Sequence, residues 1–134
     1  MILSVKTRET TELVDITSDI NRLVQKSGVD QGLCMLYVPH TTAAVTINES
    51  ADPSVKSDML MILNQIIPWE AGYRHLEGNS AAHIKTTLVG SSELIAIENQ
   101  QLVLGTWQGI FFCEFDGPRN RKLQVRILES KFHE

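Results

Sequence analysis

From residue 92 onward the chain reads as strand and turn throughout. The runs "ELIAIE", "QLVLG", "WQGIFFCEF" and "KLQVRIL" are separated only by "NQ", "T" and "DGPRN". Runs this short, joined by turns this tight, pair with antiparallel neighbours, because a parallel partner needs a long crossover. The last third therefore commits the domain to an antiparallel sheet, against which the rest of the chain must pack.

The N-terminal segment reads as two further strands, "ILSVKTR" and "TELVDIT", paired with each other. Thr17 or Ser18 offers an N-cap for the helix "SDINRLVQKSG", and Gly28 stands where a left-handed C-terminal residue is wanted. Strands "GLCMLYVP" and "TAAVTIN" follow, joined at "HTT" so that His40 sits at a bend. Asp52 and Pro53 open a second helix with an apolar stripe of Val55, Met59, Ile62, Leu63 and Ile66, and Pro68 ends it. "PWEAGYRHLEGN" is an irregular loop rich in Trp, Tyr, Arg and His. A short third helix, "SAAHIKTTLVG", is expected to be capped by Asn79 and stopped by Gly90. The prediction is one α+β domain over residues 1–134, whose mostly antiparallel strands pack as one or two sheets with about three helices on one side.

Composition narrows the function classes. The 134 residues suffice for one buried core, and 43% hydrophobic with 21% charged residues is ordinary for a globular chain. Apolar runs such as "MLMILNQII" stop far short of the roughly 18 residues of a membrane span, and the N-terminus carries charges at Lys6 and Arg8. A cytoplasmic protein without a signal peptide or membrane association is expected. A formal net charge of -4 argues against sequence-independent nucleic-acid binding. Cys34 and Cys113 lie singly in apolar strands, as reduced core thiols do.

The candidate chemistry gathers at a few places. Alternation along Val38 to Glu49 puts Thr41, Ala43, Val45 and Ile47 on one face and His40, Thr42, Ala44, Thr46 and Asn48 on a narrow polar one. Asn48, Glu49 and Asp52 crowd the strand-to-helix junction. His40, His75 and His83 stand on a strand end, a loop and a short helix. If they converge they make a divalent-metal or acid–base site, although their spacing matches no zinc signature. His133 carries no role. Glu49, Asp52, Glu114 and Asp116 could hold Mg²⁺ or move a proton. Arg119, Arg121, Lys122 and Arg126 form a basic cluster that is either a charged edge strand or a phosphate clamp. In "GTWQG" two glycines bracket Trp107, a core candidate, and Gln108, a pocket candidate.

Taken together, "HTTAAVTINESADPSV", "YRHLEGNSAAHIKTTLVG" and "LGTWQGIFFCEFDGPR" resemble the YjbQ family, also called secondary thiamine-phosphate synthases. The resemblance runs over nearly the whole chain. It implies an α+β fold with a β-sandwich-like core that assembles as a homotrimer, with a polar pocket at or near the subunit contacts lined by His40, Asn48, Glu49, Asp52, His75, His83, Gln108, Glu114 and Arg119. It also implies an activity: joining a pyrimidine methyl diphosphate to a thiazole phosphate with loss of pyrophosphate. Two departures are visible. Gln100 stands where many relatives have a turn glycine, and Ala51 stands where some have cysteine, so a catalytic thiol is excluded there.

On this reading Glu49, His40, His83 and Asn48 are the catalytic candidates, and Arg119, Gln108, Asp52 and Glu114 bind the substrate or its phosphate. His40, His75 and His83 would hold a divalent metal, Mg or Zn. Two alternatives stand beside the synthase: metal-assisted hydrolysis of a small phosphorylated or cyclic metabolite, and a non-catalytic trimer that binds an anion.

Overall fold

The computed structural model describes residues 1–131, so His133 lies outside the described residues. Eight strands and three helices follow in the order β1 (Ile2–Lys6), β2 (Glu12–Asp15), α1 (Thr17–Ser27), β3 (Gly32–Tyr37), β4 (Ala43–Glu49), α2 (Pro53–Ile66), α3 (Ser80–Val89), β5 (Ser92–Glu98), β6 (Gln101–Leu102), β7 (Gln108–Glu114) and β8 (Asn120–Glu129). They form a five-stranded sheet, β1-β8-β3-β5-β6, and a three-stranded sheet, β2-β7-β4. Every strand pair is antiparallel.

The expected pairing of the two N-terminal strands is corrected. β1 pairs with β8 and β2 with β7, in different sheets. Both strands are half-buried, so their apolar pattern fixes which face is buried but not which neighbour supplies the hydrogen bonds. The "HTT" join likewise carries the chain from one sheet to the other, because β3 belongs to the larger sheet and β4 to the smaller.

Between the sheets lies the main core. Cys34, Leu36, Leu123 and Val125 from the larger sheet meet Ala43, Val45, Ile110 and Phe112 from the smaller, and Ile20 and Val24 of α1 close one side. A second core occupies the other face of the three-stranded sheet, where Ala44, Phe111 and Cys113 pack with Ala82 of α3 and with Met59, Leu60 and Leu63 of α2. This corrects the expected polar face of β4. Ala44 is fully buried under the helices, and only Asn48 near the strand end is exposed. β7 is the central strand of this sheet and is buried on both faces beyond its first residue, as its near-continuous apolar run requires.

The helix signals divide. Asp52 caps α2 by accepting from the Ser54 amide at 2.9 Å, with Pro53 in the first turn, and Gly28 ends α1 at φ 74°. The N-cap position of α1 is Ile16, not Thr17 or Ser18, and Asn79 stands at the N-cap position of α3 without a capping hydrogen bond. The α2 stripe is only partly covered, since Ile62 and Ile66 are exposed. Trp107 is exposed rather than in the core. Gly109 is the tight position of "GTWQG": a Cβ there would stand 2.6 Å from the Ser50 Cβ.

Both thiols are free and buried, one in each core. Burial pushes the Cys34 pKa up to about 11 and the Cys113 pKa up to about 12. A thiolate is disfavoured at both sites, which makes them packing residues.

Candidate functional site

At one end of the sandwich four segments converge: the bend before β4, the loop before α3, the first turns of α3, and the "DGPR" turn between β7 and β8. They enclose an open cavity of about 450 Å³ whose walls include His40, His75, His83, Asn79, Arg119 and Arg121. The three histidines thus come together from a strand end, a loop and a helix. His75 and His83 meet edge to face, ring centroids 5.5 Å apart.

The floor of the cavity rests on a buried ion pair. Glu114 is 0% exposed and Arg121 is 4% exposed. Glu114 lies at an inward position of β7 and Arg121 at an inward position of β8, so the pair links the two sheets. The Arg121 Nε donates to Glu114 Oε1 at 2.8 Å, and its NH2 donates to Glu114 Oε2. Glu114 Oε1 also accepts from Thr7 Oγ1 at 2.7 Å, and Oε2 from the Asp116 amide at 3.0 Å. Burial alone would raise the Glu114 pKa, but the bonds from Arg121, Thr7 and Asp116 outweigh it and hold the carboxyl below its ordinary value. Arg121 NH2 donates further to Thr42 Oγ1 at 2.8 Å, while its NH1 has no partner among the described residues.

Arg119 is set by a second chain of bonds. Its Nε donates to the Asp116 carbonyl at 2.8 Å and its NH2 to Asp116 Oδ2 at 2.9 Å, and the same Oδ2 accepts from Asn79 Nδ2 at 2.8 Å. The guanidinium stays half exposed with NH1 unengaged, as an anion clamp requires. Donation to Asp116 fixes the Asn79 amide orientation and leaves its Oδ1 buried without a partner.

His40 is held from behind. Its Nε2 accepts the Lys122 backbone N–H at 3.0 Å, which assigns the proton of the neutral ring to Nδ1 and makes that nitrogen a donor. Burial, and then the positive charge of Arg121, lowers the His40 pKa below its ordinary value. The ring is therefore neutral at pH 7.

The remaining candidates lie elsewhere within one chain. Asn48, Glu49 and Gln108 sit at the opposite end of β4, with Glu49 opposite Gln108, a seven-residue strand or ~20 Å from the His40 bend. Each has a local partner or duty there. Asn48 Oδ1 accepts from the Glu49 amide at 2.7 Å, Gln108 Oε1 accepts from the Gly105 amide at 2.7 Å, and Asp52 caps α2. The basic cluster also separates: Arg121 points inward, whereas Lys122 is exposed and bonds to Ser4 Oγ at 2.9 Å.

As arranged, the cavity does not make a three-imidazole metal site. A metal-ligating histidine donates its other N–H to an acceptor, but the Nε2 of His40 receives a backbone N–H instead. Among the described residues, no three His, Cys, Asp or Glu side chains are grouped to hold an ion.

Asn79 and the inward role of Arg121 were missed in the sequence, although one signal was present. Arg121 is in phase with Leu123 and Val125, and an arginine in phase with core residues needs a buried carboxylate opposite.

The chain is thus a two-sheet α+β domain with an arginine- and histidine-lined cavity at one end, the architecture of the YjbQ kind. The model of that family, described as UPF0047 protein YjbQ-like, matches residues 1–130, and the chain belongs to it. It is 49% identical over 127 residues to UPF0047 protein YugU of Bacillus subtilis, covering 94% of this chain and 96% of that one. A UPF0047 protein of Methanocaldococcus jannaschii is 54% identical over 127 residues, covering 95% and 92%. Among solved structures, an uncharacterized YjbQ/UPF0047 protein of Clostridium acetobutylicum superposes with TM-score 0.93 at 51% identity, covering 96% and 99% of the chains. A YbjQ-like protein of unknown function from Sulfolobus solfataricus gives 0.92 at 34% identity, covering 97% and 96%.

Proposed function

We propose that the protein is a small-metabolite enzyme that binds the phosphate or diphosphate of its substrate at Arg119 and Arg121, donates a hydrogen bond to it from His40 and moves a proton with His83. The observation that carries this reading is the convergence of both guanidiniums and three imidazoles on one cavity. Each guanidinium keeps an NH1 group without a partner among the described residues, and phosphate oxygens match that planar fork. The neutral His40 ring keeps its proton and offers Nδ1–H as a hydrogen bond to a leaving oxygen, a donor held in place by the Lys122 amide.

Within this class, the synthase reaction implied by the resemblance fits the cavity's charge. Its C–O bond breaks with the electron pair leaving on pyrophosphate, and the thiazole nitrogen attacks the carbon left behind. Neutralising the departing charge is the contribution the arginines can make. Incubating the purified protein with both precursors and Mg²⁺ tests the assignment. Product that falls about 100-fold in Arg119→Ala supports it, and no thiamine phosphate from the wild type rejects it for this chain.

The divalent-metal reading, with Mg or Zn on His40, His75 and His83, draws on the contact between the His75 and His83 rings. It requires His40 to release the Lys122 amide. Stoichiometric metal in protein purified without an affinity tag would favour it, with the hydrolase alternative behind it.

Association between copies, which the homotrimer needs, draws support from the larger sheet, where Leu33, Leu94 and Leu128 lie exposed on adjoining strands. For Glu49 or Asn48 to act at this cavity, a neighbouring copy would have to bring them across. A light-scattering mass of one chain would remove both ideas.

A further inference from the structure

A second, larger cavity of about 640 Å³ adjoins the first and shares Pro39, His40, Thr41 and His83 with it. Its chemistry is different. The first cavity carries Glu77, Asp116, Arg119 and Arg121, whereas the second has no Asp, Glu, Lys or Arg in its walls. It is lined instead by hydroxyls and one aromatic ring, from Tyr37, Thr41, Thr86, Thr87 and Ser91. Thr87 Oγ1 donates to the His83 carbonyl at 3.1 Å. Among the described residues the hydroxyls of Tyr37, Thr41 and Ser91 make no hydrogen bond, and Thr86 Oγ1 is buried without a partner.

We propose that the two cavities form one bipartite site for a phosphomonoester of a neutral, hydroxyl- or amide-bearing body. The phosphate lies between Arg119 and Arg121, the body lies against Tyr37 and Ser91, and the ester linkage lies between His40 and His83. The proposal rests on the phosphate-binding reading above and adds the rest of the ligand to it. A charged body is disfavoured because the second compartment offers no counter-ion, and burying an unpaired charge is costly. A neutral polar body satisfies hydroxyls that the chain leaves without partners, and its planar part can lie on the Tyr37 ring. The shared imidazoles then stand beside the linkage, where His40 Nδ1–H can hydrogen-bond a leaving ester oxygen and His83 can supply its proton.

Calorimetry with inorganic phosphate, ribose 5-phosphate and phenyl phosphate tests this on the intact protein. At least one ester should bind about tenfold or more tightly than inorganic phosphate, because the second compartment adds contacts to the same anion. Ser91→Trp, which fills that compartment from an exposed position, should remove the gain while melting at the wild-type temperature, and Arg119→Ala should weaken phosphate and ester alike. If inorganic phosphate does not bind, or Arg119→Ala binds it as well as the wild type, the phosphate-site reading fails. If phosphate binds through Arg119 but neither ester gains, or if Ser91→Trp keeps the gain, the bipartite site alone is overturned.

Discussion

At the scale of single residues, the buried Glu114–Arg121 pair joins the stability of the sandwich to the shape of the cavity. Removing one partner strands a buried charge, so Glu114→Gln is expected to cost about 3–5 kcal/mol in denaturant unfolding. It should also loosen Arg121. The pair has a pH signature. The folded-state pKa of Glu114 lies below its ordinary 4.5, so its contribution is fully present above that value and is lost as pH falls through the folded pKa. His40 acts in the same direction in a higher window. Its pKa is lowered from 6.5, so the unfolded chain binds the proton more readily and stability declines as pH drops below 6.5. An NMR titration should place the His40 midpoint below 6.5. A midpoint at or above 6.5 would contradict the burial of the ring beside the Arg121 guanidinium. Thr86→Val removes an orphaned buried hydroxyl and should raise the unfolding free energy of the ligand-free protein by about 1 kcal/mol.

At the scale of elements, the β5–β6 turn holds both Asn99 and Gln100 at positive φ, 54° and 62°. Asn tolerates this conformation through its short polar side chain, whereas Gln carries the ordinary steric cost. Gln100→Gly is therefore expected to stabilise the fold by about 1 kcal/mol, measured as a shift in denaturant midpoint without a change in slope. Gly109→Ala should do the reverse, because its Cβ would collide with Ser50. Element types were legible in the sequence because strand alternation, the Asp52–Pro53 start and the Gly28 stop are local signals. Pairing was not, since nothing in "ILSVKTR" or "TELVDIT" distinguishes a hairpin from two edge strands of separate sheets. Asn79 illustrates the same limit at the site. Its position at a helix start suggests a cap, yet its Nδ2 donates to Asp116 and its Oδ1, the capping acceptor, reaches no backbone N–H among the described residues.

At the scale of the whole molecule, the sandwich brings residues far apart in sequence to one end and separates others that are close. His40 and Arg121 are 81 positions apart and share a wall, while Glu49, nine positions from His40, lies at the other end of β4. The histidine trio and Arg119 could be named from the sequence as side chains suited to one chemistry. The split between the two ends of β4 could not, because it depends on the chain leaving one sheet at "HTT" and entering the other. The exposed apolar residues on the larger sheet and on α2 belong to this scale too, and they make oligomeric mass the companion measurement to any activity assay.

The most direct measurement of the site is the imidazole NMR spectrum during addition of inorganic phosphate. If the cavity is the anion site, the His40, His75 and His83 resonances shift together along one saturable curve in the wild type, and Arg119→Ala moves that curve to about tenfold or more higher phosphate. Histidine resonances that stay fixed to saturating phosphate, or a curve that Arg119→Ala leaves in place, would contradict it.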